Sequence, residues 1–402
     1  MQQTHSLNAF LYAISYGIER ASYYGIRSII VLYMVSESIQ MTNSEALYFY
    51  GILTSSFYGS KVLGALLGDL LIGNKLALLI GGLLQAFSCF ILCIPTQSFF
   101  YIGIIFFVLG NGLLSPNLLA QFGKQYSNKP KLVDSGFTGL YFFINFGAFL
   151  GVAIISLLAN KHMAYGFVFS GILLIISTLM AYFLIDLKPT YDKNKTDNDK
   201  IKSFIFVFAA LVFSVVFWAS YDASAELMYS HTYGSKSSSF IMQNIPVIVG
   251  IVLGFLLTVI WTFVYTNQFS KFCIGLILSA FAISLLIYFP ESPSDGNTST
   301  LLFSFILLSI GETFLGPMLY ATITRYTNPK YLAIVFSLVT IPIFIFNKIA
   351  FNIRDYFDEI SPSGILIAIT FALAFYGLIS ILMWFFQKRD DQNVLSEYEL
   401  IE

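Results

Sequence analysis

Long apolar runs separated by short polar breaks dominate the chain. Most of these runs reach the length of about 20 residues that an α-helix needs to cross a bilayer. We count twelve of them, with approximate spans 7–35, 46–72, 75–95, 98–123, 135–159, 163–187, 203–229, 240–265, 272–290, 300–326, 331–352 and 363–387. The pattern therefore predicts an all-α polytopic membrane protein with twelve transmembrane helices.

One connection is longer and more charged than the others. Residues 188–202 read K-P-T-Y-D-K-N-K-T-D-N-D-K-I-K and separate the first six spans from the last six. This predicts an N-terminal six-helix bundle over 1–187, a cytoplasmic linker over 188–202, a C-terminal six-helix bundle over 203–389 and a cytoplasmic tail over 390–402.

Basic residues are distributed unevenly between the two sets of loops. If both termini are cytoplasmic, fourteen Lys and Arg residues lie in the inner loops and tails, against three in the outer loops, namely Lys161, Lys236 and Arg354. Cytoplasmic loops carry such an excess. We therefore expect a multi-pass plasma-membrane protein, in a bacterium an inner-membrane protein, with both termini cytoplasmic.

Composition and the remaining chemistry exclude several classes of function. Hydrophobic residues make up 57% of the chain and charged residues 11%, which a soluble domain of this size does not need. Nothing supports nucleic-acid binding. Neither the cysteines, Cys89, Cys93 and Cys273, nor the histidines, His5, His162 and His231, are spaced as a metal site, and no nucleophile motif occurs. We expect no enzyme, no metal and no cofactor.

Polar residues share one side of the first predicted helix. Residues 16–27 read Y-G-I-E-R-A-S-Y-Y-G-I-R, and Tyr16, Glu19, Arg20, Tyr23 and Arg27 fall within a sector of about 100°. Ionisable groups at membrane depth are costly and usually line a substrate or ion path. The alternative is a structural role, in which Glu19 and Arg20 form an internal ion pair and the tyrosines pack between helices.

The loop after the second span resembles a signature of the major facilitator superfamily. Residues 68–75 read G-D-L-L-I-G-N-K and are similar to G-x-x-x-D-R-x-G-R-[RK], although the first arginine is missing. Gly68, Asp69, Gly73 and Lys75 are the matching candidates, and the resemblance implies a gating or structural role. It also implies that the two six-helix bundles form the major facilitator fold, with a central site between them.

Further motifs resemble the proton-dependent oligopeptide transporter family. The first helix is similar to the family's E-x-x-E-R-F-x-Y-Y-G-[MI]-R. Similar stretches follow in family order: G-N-G-L-L-S-P-N at 110–117, D-S-G-F-T through I-N-F-G at 134–147, F-W-A-S-Y-D at 217–222 and G-E-T-F-L-G-P at 311–317. The resemblance implies a secondary active transporter that takes up di- and tripeptides by alternating access.

The resemblance also implies roles for individual residues. Arg27 corresponds to the residue that holds the peptide carboxylate, for which a planar guanidinium is suited. Glu312 corresponds to the residue that holds the peptide amine. The implied amphipathic lining is Tyr23, Tyr24, Tyr58, Tyr141 and Asn145, with Trp218 as a packing or gate residue. For each tyrosine, helix packing is the alternative.

Two departures concern proton coupling. The family pairs a first-helix acid with a fourth-helix lysine, and this chain has Tyr16 and Ser115 there. Loss of both avoids an unpaired buried charge, which costs about 3–5 kcal/mol. Lys61 is a new cation that could replace the lysine. The candidate coupling residues are Glu19, Arg20, Lys61, Asp222 and Glu226. Coupling is either retained through altered residues or lost.

Other functions stay open on the same fold. The chain could be a major facilitator uniporter, an exporter of another small organic solute, or a sensor that binds without transporting. A cation on the first half and an acid on the second favour a zwitterionic substrate. The expected partners are a peptide, protons and the lipid bilayer, with the protein acting as a monomer.

Overall fold

The computed structural model describes residues 4–188, 197–232, 239–287, 298–342, 345 and 362–399. Every regular element among them is helical, as predicted. The α-helices are α1 (Leu7–Met34), α2 (Asn43–Leu66), α3 (Asn74–Leu92), α4 (Gln97–Lys124), α5 (Val133–Lys161), α6 (Met163–Phe183), α7 (Asp197–Thr232), α8 (Ser239–Phe263), α9 (Gln268–Ile287), α10 (Thr298–Tyr326), α11 (Leu332–Leu338) and α12 (Pro362–Glu399). A π-helical turn (Leu67–Ile72) and a 3-10 turn (Pro329–Tyr331) connect some of them.

Nine of the described helices are long and apolar enough to cross a membrane. The helices α1 and α2 fall outside this group because their polar residues reduce their apolarity, and α11 is short within the described part of the chain. Each of the twelve predicted spans nevertheless corresponds, in order, to one described helix. The prediction of an all-α polytopic membrane protein is confirmed.

Contacts divide the chain into two compact units. Unit 1 is Met1–Lys193 with Ile323–Phe344, and unit 2 is Asn194–Thr322 with Ile345–Glu402. Of the predicted linker, residues 189–196 lie outside the described part, while 197–202 form the first turns of α7. Within the predicted tail, α12 continues to Glu399. The boundaries of the two six-helix bundles stay a prediction.

Small residues bring α1 and α5 together within unit 1. A Cβ added at Gly147 would collide with the carbonyl oxygen of Gly17, and one at Gly151 with that of Ala21. Small residues of this kind let transmembrane helices approach closely. The polar stripe lies on another side of α1, and its contacts are with α2 and α4.

The helices α2 and α4 cross at a second close approach. A Cβ at Gly64 would collide with the backbone of Gly112, and one at Gly112 would collide with the backbone of Ser60. Lys61 follows Ser60 directly and Ser115 follows Gly112 by three residues. This crossing therefore holds Lys61 beside the part of α4 that carries Ser115.

Candidate functional site

Glu19 and Arg20 form a buried ion pair with two hydrogen bonds inside unit 1. Arg20 Nε donates to Glu19 Oε2 at 2.5 Å and Arg20 Nη2 donates to Glu19 Oε1 at 2.7 Å. Glu19 is 0% exposed and Arg20 5%. The Arg20 guanidinium also lies 4.4 Å from the ring centre of Tyr23 and 5.0 Å from that of Tyr16, at cation–π distance. The pair is neutral as a whole and is enclosed by aromatic rings.

The two departures from the family motifs contact each other. The hydroxyl of Tyr16 and the Oγ of Ser115 are 3.1 Å apart, and both residues are buried. Where the family has an acid and a lysine, this chain therefore has one hydrogen bond between neutral groups. Because the two side chains are in contact, a charge kept at only one of these positions would lie beside a neutral hydroxyl.

Arg27 is the more open guanidinium of the stripe. It is half-buried, and its Nε and Nη2 donate to the hydroxyl of Tyr50 at 3.1 and 2.8 Å. A guanidinium has five N–H groups, and two bind Tyr50. The other three have no hydrogen-bond partner among the described residues. Arg27 is thus oriented by one neutral acceptor and keeps donors for a further acceptor.

Tyr50 is a site residue that the sequence analysis missed. Its contact with Arg27 joins α1 to α2, and no motif marks it. One signal could have indicated it: Tyr50, Phe57 and Lys61 recur at helical spacing and so share one face of α2. That face carries the contacts to the α1 stripe.

Tyr23 packs between three helices. It is buried, and its ring centre lies 5.3 Å from that of Phe57 and 6.1 Å from that of Phe107, the latter ring nearly parallel to it. The ring of Tyr24, which is half-buried, meets it edge-on at 5.2 Å. These contacts are those of a packing residue for Tyr23, and the role of both tyrosines as substrate lining stays a prediction.

Lys61 lies close to the charged part of the stripe. Its side chain is half-buried and interacts electrostatically with Arg20, Glu19 and Arg27. Both carboxylate oxygens of Glu19 are bonded to Arg20, and Lys61 forms no ion pair within the described residues. Lys61 is thus not bonded to Glu19 among the described residues, and its replacement of the missing lysine stays a prediction.

The remaining predicted lining residues of unit 1 are half-buried. They are Tyr58, Tyr141 and Asn145. The amide of Asn145 donates to the backbone oxygen of Tyr141 at 2.9 Å, one turn earlier on α5. This bond orients the Asn145 side chain along its own helix.

The candidate residues of unit 2 lie on α7 and α10. Glu312 on α10 is half-buried and Asp222 on α7 is exposed. Trp218 is half-buried and packs against Phe217 and Tyr221, with ring centres at 5.3 and 5.6 Å. The side chain of Glu226 lies outside the described part.

Asp69 of the predicted gating motif binds the start of α11. Its Oδ2 accepts from the backbone N–H of Ile334 at 2.8 Å, and its Oδ1 accepts from Asn74 Nδ2 at 2.7 Å. The helix α11 has no side-chain cap from its own N-cap residue, so Asp69 supplies one. Lys124 on α4 donates to Asn74 Oδ1 at 2.5 Å and brings a cation to a motif that lacks its arginine.

The other three motif residues shape the turn. Gly73 has a φ of +85°, a conformation that glycine adopts without strain. Gly68 packs against the side chain of Asn117, where a Cβ would collide. Lys75 Nζ donates to the backbone oxygen of Leu184 at 2.5 Å, after α6. The motif thus connects helix ends within unit 1.

Comparison with known proteins identifies the family. The family model of the Major Facilitator Superfamily matches residues 9–346. The "Uncharacterized transporter YclF" of Bacillus subtilis is 22% identical, covering 91% of this chain and 89% of the relative. "Dipeptide and tripeptide permease B" of Aliivibrio fischeri is 29% identical, but that match spans 41% of this chain and about a third (34%) of the permease.

Solved structures agree on the fold. A POT family transporter in complex with a thioalcohol-conjugated peptide superposes with a TM-score of 0.66 at 16% identity, covering 93% of this chain and 95% of that one. These relatives are transporters, as expected here, and not enzymes. The chain belongs to the Major Facilitator Superfamily, and its resemblance to the proton-dependent oligopeptide transporter family is confirmed.

Proposed function

We propose that this transporter moves di- and tripeptides across the membrane by alternating access, with Arg27 holding the peptide carboxylate. The supporting observation is the half-buried guanidinium of Arg27, which Tyr50 orients while three N–H groups keep no described partner. A carboxylate is the natural acceptor for two parallel N–H donors. The names of several relatives as peptide permeases also support this assignment.

Glu312 is proposed as the acid for the peptide amine, and Tyr24, Tyr58, Tyr141 and Asn145 as polar lining. All five are half-buried, so each retains some exposure for a ligand. Glu312→Gln should weaken binding of peptides with a free amine far more than binding of N-acetylated peptides. An equal loss for both would mean that Glu312 maintains the fold.

Proton coupling is proposed to depend on Asp222. Glu19 gives both oxygens to Arg20, whereas Asp222 is exposed on α7 and is more accessible to a proton. Glu226 is its neighbour on the same helix, and Lys61 is the proposed counter-charge. Asp222→Asn should abolish pH-driven accumulation and leave counterflow exchange of peptide intact. If Asp222→Asn still accumulates peptide with the gradient, Asp222 is not the carrier.

A second candidate is peptide transport without protons, and the Tyr16–Ser115 contact favours it. This neutral hydrogen bond replaces the ion pair that the family resemblance associates with proton sensing. Uptake into proteoliposomes with and without an imposed proton gradient distinguishes the two. Uptake that ignores the gradient would establish a uniporter.

The assignment is tested in the same vesicles with a labelled dipeptide. Unlabelled di- and tripeptides should compete, while free amino acids, nitrate and cationic dyes should not. Competition by a dye or an amino acid without any by peptides would reject the proposal in favour of another small solute. Binding without flux would indicate a sensor. The cytoplasmic termini, the bacterial inner membrane and the monomeric state belong to the same proposal.

A further inference from the structure

Two cations on the facing surfaces of α1 and α2 have no described carboxylate partner. Arg20 is neutralised by Glu19, which leaves Arg27 with a tyrosine hydroxyl and Lys61 with no described ion pair. Among the described side chains on this face of unit 1, three are positive and one is negative. The excess is two charges.

The geometry places these two cations on facing sides of the contact between α1 and α2. Arg27 contacts Tyr50, and Tyr23 contacts Phe57, so the higher residue number on α1 lies beside the lower residue number on α2. The two helices therefore run antiparallel. Arg27 follows Tyr23 by one turn and Lys61 follows Phe57 by one turn. Helical side chains lean towards their own N-terminus. Arg27 and Lys61 therefore stand one turn beyond the Tyr23–Phe57 contact on opposite sides of it, and this tendency brings their side chains closer together.

A pair of cations at membrane depth is unfavourable without counter-charge. A ligand with one carboxylate would neutralise half of the excess. A ligand with two carboxylates, close enough to reach both cations, would neutralise all of it.

We propose that Arg27 and Lys61 together form a site for a dianionic end of the substrate, so that the protein prefers peptides with Asp or Glu as the C-terminal residue. This inference rests on the proposed peptide transport and specifies its substrate class. Arg27 binds the main-chain carboxylate, and Lys61 binds the side-chain carboxylate. Lys61 is therefore the residue that determines specificity.

The experiment compares two peptides of nearly equal shape. Ala-Glu and Ala-Gln differ in one negative charge, and each competes with labelled Ala-Ala for binding to the purified protein and for uptake into proteoliposomes. We expect wild type to bind Ala-Glu about tenfold more tightly than Ala-Gln, because Ala-Glu gains one charge-assisted contact with Lys61. A tenfold ratio corresponds to about 1.4 kcal/mol. Lys61→Met should reduce this ratio to about one, and Lys61→Arg should keep a preference for the acid.

A matched control removes a lysine elsewhere. Lys161 is exposed at the end of α5, so Lys161→Met should keep the tenfold ratio. The ratio between the two peptides is the readout, because it does not depend on how much active protein a variant yields. If Lys61→Met does not fold, the Ala-Glu to Ala-Gln ratio of wild type and of Lys61→Arg still tests the proposed site.

Two failures can be told apart. If Ala-Glu and Ala-Gln compete equally with wild type, or if the preference survives Lys61→Met, the dianion site is wrong and peptide transport stands. If neither peptide competes, the proposed function is wrong, and the inference is overturned with it.

Discussion

Arg20 and Arg27 lie seven residues apart on the same polar stripe of α1, yet their surroundings differ. Arg20 is buried, bonded twice to a carboxylate and flanked by tyrosine rings. Arg27 is half-buried and bonded to one hydroxyl. One guanidinium has a protein counter-ion, and the other has three donors without a described partner.

This difference predicts a structural role for Arg20 and a binding role for Arg27. A buried ion pair whose charges cancel attracts a charged substrate only weakly. Removing one partner of the pair leaves an isolated buried charge. A guanidinium that is oriented but lacks a counter-ion can gain one from a ligand. Adjacent members of one motif therefore need not share a function, because each depends on the partners that the neighbouring helices supply.

The largest effect is expected from Glu19→Gln. This change leaves Arg20 buried without its counter-ion, and the free energy of unfolding should fall by about 3–5 kcal/mol. Arg27→Gln, as the comparison, should change it by about 1 kcal/mol or less, because Arg27 is half-buried and no carboxylate in the described part of the chain would lose its partner.

Denaturation of the two purified variants in detergent measures both values side by side. An equal decrease in the free energy of unfolding for both variants would contradict the difference between the two arginines. A stable Glu19→Gln variant with impaired uptake would instead make Glu19 a functional acid.

Arg27→Lys should give the second-largest effect. It keeps the charge but loses the planar fork that holds a carboxylate by two bonds, so dipeptide binding should weaken about tenfold. Binding of a labelled dipeptide to purified protein measures the change.

Arg20→Lys is the matched control and should act on stability, because only one of the two bonds to Glu19 can then be retained. If Arg20→Lys weakens binding as much as Arg27→Lys does while the fold stays intact, Arg20 also contacts substrate.

The smallest effect is expected from Tyr16→Phe. It keeps the ring beside Arg20 and removes one neutral hydrogen bond to Ser115, which contributes about 1 kcal/mol. A double-mutant cycle of Tyr16→Phe with Ser115→Ala isolates that bond. A coupling energy of several kcal/mol would contradict the view that a modest neutral contact replaces the ion pair.

Much of the fold could be predicted from apolar length and polar breaks. The twelve predicted runs correspond in order to the helices of the described residues, because a chain in lipid must satisfy its backbone hydrogen bonds within each helix. The stripe on α1 was also predictable, since helical period alone determines which residues share a face. The exact ends of the helices were harder to predict from the sequence, and α7 begins six residues before its predicted span.

The partners of the stripe were not predictable from one chain's pattern. Tyr50 for Arg27, Ser115 for Tyr16 and Phe57 for Tyr23 all come from other helices. Which of these meet depends on where the glycines of α1, α2, α4 and α5 allow backbones to touch, since that contact sets the rotation and height of each helix. The spacing along α1 thus specified where the charges stand, while the packing of the helices determined which charge has a counter-ion and which has none among the described residues.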